Sequence, residues 1–203
     1  MRVGSVNYET NGKIAILTLD EPGKLNALST GIREGILDGL KKVDEDDNVR
    51  VAIITGNGDK AFCAGADISG FNFDPGKVRK FMIEALAVLA APENCRKPVI
   101  SAVNGIAFGG GFELAIASDF IIASDRARFA VPEIKLGLLP GFAIVRLHDM
   151  IGRAKAKEMS ILGDPISAEE AYRLGLVLRV VPHSDLLKST LEFAERIASK
   201  PRL

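Results

Sequence analysis

Apolar and polar side chains alternate over residues 6–10, and a β-rich, nearly continuous apolar run follows at 14–19, with Asn11-Gly12-Lys13 between them. A period of two turns one face of the first run toward a core, and the β-branched and apolar content of both reads as strand. Asn-Gly supplies the positive φ angles of a tight connection, so the chain is predicted to open with a β-hairpin. The period then lengthens. Ile32, Ile36, Leu37, Leu40 and Val43 recur at helical spacing behind Ser29, a capping residue, which predicts a helix over 30–46. A buried strand is predicted at 51–55, stopped by Gly56-Asn57-Gly58-Asp59, with a second short apolar piece at 61–64.

The remaining pattern predicts a helix over 77–91 and a β-branched run over 98–103. The triplet Gly109-Gly110-Gly111 then opens a helical segment over 112–117. Strands follow at 120–124 and 128–131, and helices at 144–151 and 154–162 come after the Pro140-Gly141 punctuation. Ser167-Ala-Glu-Glu170 has the form of a capping box, which starts a helix reaching Leu174, and Gly175 ends it. A strand over 176–181 and a helix over 185–199 complete the chain. Strands alternating with helices point to the α/β class, and nothing resembling a linker divides residues 1–203, so one domain is expected. The opening hairpin and paired short strands favour repeated β-β-α units over a simple doubly wound nucleotide fold.

Composition changes this picture little. Twenty-six basic residues balance 26 acidic ones, so the global charge draws the chain toward neither nucleic acid nor an acidic membrane. An anionic ligand must be met locally. The N-terminal stretch lacks the apolar run and cleavage site of a secretory signal, and no run approaches the roughly 18 apolar residues of a span. Cys63 and Cys95 lack metal-ligand spacing and fit a reducing, cytoplasmic setting.

Candidate chemistry is concentrated in a few places. Glu113 stands in the otherwise uncharged stretch Gly-Gly-Gly-Phe-Glu-Leu-Ala-Ile-Ala, where a carboxylate needs a partner or a task. A wet helix face or an arginine partner would also account for it. Glu133 follows Pro132 at the end of a predicted strand, a position that can aim a side chain into a cleft or leave it solvated. Two such carboxylates can divide acid and base work when their surroundings split their pKa values. The Gly110 N–H, in the first turn of a helix, and the Ala66 N–H, in a small-residue turn, could donate to an oxyanion or belong merely to tight turns. No phosphate loop, dinucleotide turn, nucleophile elbow or zinc-binding His pair occurs. His148 and His183 are well separated and read as surface or satisfied structural side chains rather than catalysts.

Taken in order, Lys24-Leu-Asn-Ala-Leu-Ser29, Ala61-Phe-Cys-Ala-Gly-Ala-Asp-Ile68, Lys97-Pro-Val-Ile-Ser-Ala-Val-Asn-Gly105, Gly109-Gly-Gly-Phe-Glu113, Pro132-Glu-Ile-Lys-Leu-Gly-Leu-Leu-Pro-Gly141 and Ile166-Ser-Ala-Glu-Glu-Ala171 closely resemble the crotonase, or enoyl-CoA hydratase/isomerase, family. The resemblance implies a spiral of β-β-α units, a trimer or dimer of trimers, and an acyl-CoA thioester substrate without metal or redox cofactor. It implies oxyanion donors at Ala66 and Gly110, paired hydratase carboxylates at Glu113 and Glu133, and the Gly141 N–H near the reacting water. Lys24, Ala27, Ala64, Asp67 and Ile68 match segments that contact the CoA moiety. The same scaffold serves Δ3-Δ2 isomerases and can persist as a non-catalytic CoA-ester-binding subunit, but retention of both carboxylates favours a hydratase. Two departures stand out. Pro140-Gly-Phe-Ala-Ile-Val-Arg-Leu147 is one residue shorter than the family's usual glycine-rich stretch, so Phe142 and Ile144 are expected to narrow the acyl pocket. The chain ends at Ser199-Lys-Pro-Arg-Leu203, where family members continue, so a shortened C-terminal helical region is expected.

Overall fold

The computed structural model describes residues 1–67 and 74–201. Strands β1 (Arg2–Val3), β2 (Val6–Asn11) and β3 (Ile14–Leu19) form an antiparallel ribbon, with Gly12 at φ 58° in the predicted turn. Helix α1 (Thr30–Glu45) starts where expected. The Ser29 hydroxyl accepts from the Ile32 N–H, and the helix buries Ile32, Ile36, Leu40 and Val43 along one face.

Three turns of chain then repeat one plan: a long strand, a short strand, and a helical segment. The first turn is β4 (Val51–Gly56), β5 (Ala61–Cys63), α2 (Pro75–Leu89) and α3 (Ala91–Asn94). The second is β6 (Val99–Val103), β7 (Ile106–Phe108) and α4 (Gly110–Ile116). The third is β8 (Phe120–Ser124), β9 (Arg128–Ala130), a 3-10 turn at Pro132–Leu136, α5 (Ala143–Ile151) and α6 (Arg153–Leu162). Strand β10 (Ile166–Ser167), α7 (Ala168–Arg173), β11 (Arg179–Val181) and α8 (Leu186–Ala198) close the chain.

The long strands join one sheet in the order β1-β2-β3-β4-β6-β8-β11, parallel from β3 onward. The short strands form a second sheet, β10-β9-β7-β5, parallel except at β10. Each turn therefore adds one strand to each sheet, which is the crotonase spiral of β-β-α units. Every residue of β6 is buried, as a parallel strand covered on both faces requires. The main core includes Leu17, Ile36, Phe62, Phe112 and Phe129; a second cluster packs Leu186, Ala194 and Ala198 of α8 against Ile16, Ile53, Ile100 and Ile122.

The differences from expectation lie in short elements. Ile106–Phe108 is a strand because β5 and β9 flank it, a pairing invisible to a three-residue pattern. The strand expected over 176–181 is reduced to Arg179–Val181, since the N–H groups of Leu176 and Val177 turn back to the Ala171 carbonyl. Helix α2 begins at Pro75 because the Asp74 carboxylate caps the Gly76 and Lys77 N–H groups ahead of the predicted start.

Candidate active site

The short sheet brings the small residues of the sequence motifs together. Gly109 turns the chain from β7 into α4 in a single residue, at φ 51°. Two residues on, a Cβ at Gly111 would lie 2.1 Å from the Cys63 carbonyl oxygen, so the close approach of α4 to β5 needs glycine there. A Cβ at Gly65, itself at φ 100°, would lie 3.4 Å from the Gly110 nitrogen, and one at Gly110 would lie 3.7 Å from the Ala66 nitrogen. These approaches bring the Ala66 and Gly110 N–H groups into one neighbourhood. Neither donates a hydrogen bond among the described residues. For Gly110 the reason is general: the first N–H groups of a helix have no intrahelical acceptor.

The segment 24–28 runs beside residues 64–67. Leu28 and Ala64 donate to the Gly65 and Leu25 carbonyls, respectively, and the Lys24 ammonium lies 3.5 Å from the Asp67 carboxylate. Lys24 is exposed, while Ala27 and Ala64 are half-buried. Leu25 and Asn26 both have φ 53°, and the buried Asn26 amide holds this bend by donating to the Asn57 and Ala61 carbonyls. Ile68 lies outside the described residues.

Glu113 is buried on α4, 6% exposed. Its Oε1 accepts the N–H groups of Phe142, at 3.1 Å, and Ala143, at 2.8 Å, the start of α5. Burial pushes the Glu113 pKa up, while those two donors and the charge of Arg146 act against the rise. Glu133 stands in the first turn of the 3-10 segment. Its Oε1 lies 2.9 Å from where a Gly109 Cβ would stand, and its Oε2 is buried without a hydrogen-bond partner among the described residues. Burial, helped by the charge of Glu113 and opposed by the residue's own N–H, raises the Glu133 pKa to about 7. The two carboxylates are thus coupled, and both sense low polarity.

The raised Glu133 pKa has a consequence for stability. Below its ordinary pKa of 4.5 the group is protonated in both folded and unfolded chains. As pH rises from there through about 7, the unfolded chain releases a proton that the folded one retains, so stability is lost over that window and stays lost above it. Glu133→Gln, which mimics the neutral acid, is expected to melt at a higher temperature than wild type at about pH 8, with the difference vanishing near pH 4. Each 1 kcal/mol recovered corresponds to about 2–4 °C in a chain of this size. Thermal melts of both proteins at the two pH values check this, and an equal or lower melting temperature at the higher pH overturns it.

Gly141 is exposed, and a Cβ placed there would meet no atom of the described residues within 4 Å. The N–H groups that engage a carboxylate belong to the next two residues, Phe142 and Ala143, and sequence reasoning missed them. A signal was present: a helix start after Pro140-Gly141 implies orphan N–H donors there. The expected pocket role of Phe142 is corrected, because its side chain is 3% exposed and packed in the main core. Burial removes it from open space. Ile144, on α5, stands 40% exposed.

The two-sheet spiral, with paired backbone donors and coupled carboxylates where its turns meet, is a protein of the crotonase fold class. The profile of the enoyl-CoA hydratase/isomerase family matches residues 9–203, and the chain belongs to that family. It is 41% identical to a crotonyl-CoA hydratase of Syntrophomonas wolfei, a match covering 100% of this chain and 79% of the relative. It is 40% identical to a carnitinyl-CoA dehydratase of Salmonella typhi, over 98% of this chain and 76% of that one. The crystal structure of an enoyl-CoA hydratase from Bacillus anthracis superposes with a TM-score of 0.92 at 38% identity, covering 97% of this chain and 77% of the other.

Proposed function

We propose that this chain is an acyl-CoA hydro-lyase that adds water reversibly across the double bond of a trans-2-enoyl-CoA thioester, giving a 3-hydroxyacyl-CoA. The observation that carries the proposal is the pairing of the buried Glu113 carboxylate with the half-buried, electrostatically linked Glu133 carboxylate, beside two backbone N–H groups without acceptors among the described residues. The Ala66 and Gly110 N–H groups receive the thioester oxygen and stabilise the enolate formed as water attacks. Glu113 takes a proton from that water as its oxygen bonds to the β carbon. Glu133, protonated near neutral pH, delivers a proton to the α carbon on the same face. The roles reverse in dehydration.

In this reading the Gly141 N–H lies near the water, and Lys24, Ala27, Ala64, Asp67 and Ile68 meet the CoA moiety. Coenzyme A is part of the substrate, and the chemistry draws on carboxylates and backbone alone. We further propose one crotonase-like domain assembled as a trimer or dimer of trimers, working in cytoplasmic acyl-CoA breakdown such as β-oxidation. No helix among the described residues is long and apolar enough to cross a membrane.

Incubation with a series of trans-2-enoyl-CoA esters in oxygen-labelled water tests the assignment. Label is expected on the β-carbon oxygen of the product. Double-bond migration without label would mean an isomerase, and ester binding without turnover would mean a binding subunit.

A further inference from the structure

Glu113 is held by the first turn of α5, and the structure gives that turn no cap of its own: Phe142, at the N-cap, makes no side-chain capping bond. What braces it comes from elsewhere in the chain. One helical turn on from Phe142, the Arg146 guanidinium lies over the Phe142 ring, 3.4 Å from its centroid. The same guanidinium makes a two-pronged bond to Glu93 of α3, with Nε and an Nη nitrogen each meeting one carboxylate oxygen. Arg146 is thus fixed by α3 on one side and by the ring below it on the other. The backbone N–H of that same Phe142, with the next one, reaches Glu113 Oε1.

We propose that Arg146, clasped by Glu93 and laid over Phe142, is a positioning residue that holds the start of α5 against Glu113. The clasp joins the end of the first spiral turn to the third, across 53 residues of sequence. It has two separable parts. The planar fork and the stacking fix geometry, which only arginine supplies. The positive charge favours the ionised form of Glu113, opposing the burial that disfavours it. Among the described residues, the charged groups bearing on Glu113 and Arg146 are Glu93 and the Glu113–Arg146 pair itself, with the charge of Glu113 acting on Glu133.

This inference rests on the hydratase reading for its kinetic arm, so the test includes one that needs no substrate. In protein carrying carbon-13 at glutamate carboxyls, the Glu113 resonance is titrated by NMR for wild type, Arg146→Gln, Arg146→Lys and Glu93→Gln. Arg146→Gln is expected to move the Glu113 titration to higher pH, while Arg146→Lys leaves it near wild type because the charge remains. In hydration assays Arg146→Gln should lower kcat about tenfold, through misplacement of the base, with KM changed less than about twofold. Its acid limb should move up in step with the titration. Arg146→Lys and Glu93→Gln should lower kcat to intermediate values without an upward shift of that limb.

An unmoved Glu113 titration in Arg146→Gln overturns the proposal, and so does an unchanged kcat. A lowered melting temperature with unshifted titration would leave Arg146 merely structural and overturns it equally. If Arg146→Gln does not fold, an Arg146→Lys or Glu93→Gln protein with full kcat overturns it instead. Absence of hydration in wild type would count against the functional reading alone, since the titration stands without it.

Discussion

Glu113→Gln and Glu133→Gln each lower hydration turnover by about 10²–10⁴-fold, the range that general acid–base catalysis supplies. Glutamine keeps the shape of the side chain but can neither take up nor release the proton. At position 113 its amide oxygen can still accept the Phe142 and Ala143 N–H groups, so α5 stays in register. At position 133 it replaces a carboxylate whose Oε2 has no partner among the described residues, so none of their hydrogen bonds to that oxygen is lost. Because the carboxylates act as a unit, the double variant should be little worse than either single one. Residual activity should survive through the backbone donors. Wild-type hydration should also decline as pH rises past about 7, where Glu133 gives up its proton, and the residual activity of Glu133→Gln should lack that limb. Steady-state rates, with circular dichroism to confirm folding, check all of this. Near-wild-type turnover in either single variant removes that glutamate from the mechanism.

Gly110→Pro lowers turnover by about 10²–10³-fold, the cost of one oxyanion donor in a preorganised site. The position suits the test. Gly110 is the first residue of α4, where proline's fixed φ is compatible with a helix and its missing N–H breaks no helical bond. The ring also fills the space that the N–H would point into. Gly110→Ala is the control, since it keeps the donor; its Cβ would lie 2.9 Å from the Leu28 Cδ1, the movable end of a side chain. The alanine variant should lose less than about tenfold, a fraction of what removal of an oxyanion donor costs. Equal losses in the two variants, or a proline variant with full activity, would show that the Gly110 N–H does not hold the substrate oxygen.

The glutamates and glycines of these variants were legible in the sequence, because each stands out locally. A lone carboxylate among small and apolar residues, a proline before Glu133, and three glycines at a strand–helix junction are features of composition and spacing. So are the opening hairpin and α1, whose periodicity and Ser29 cap act within a few residues of chain. The ordered motifs carried the family for the same reason.

What the residues do to one another was settled by packing. Ile106–Phe108 became a strand only between β5 and β9, and Gly65, Ala66 and Gly110 meet only because α4 lies against β5. Phe142 reads in sequence as a bulky pocket wall, yet its ring is in the core under Arg146, and only its backbone N–H reaches Glu113. The lift of the Glu133 pKa to about 7 likewise needs burial and the nearby charge of Glu113, neither of which a linear pattern contains. Local propensity determined the elements and the residue types of this protein. The contacts between spiral turns, among residues tens of positions apart, decided which groups face each other and in what electrostatic surroundings.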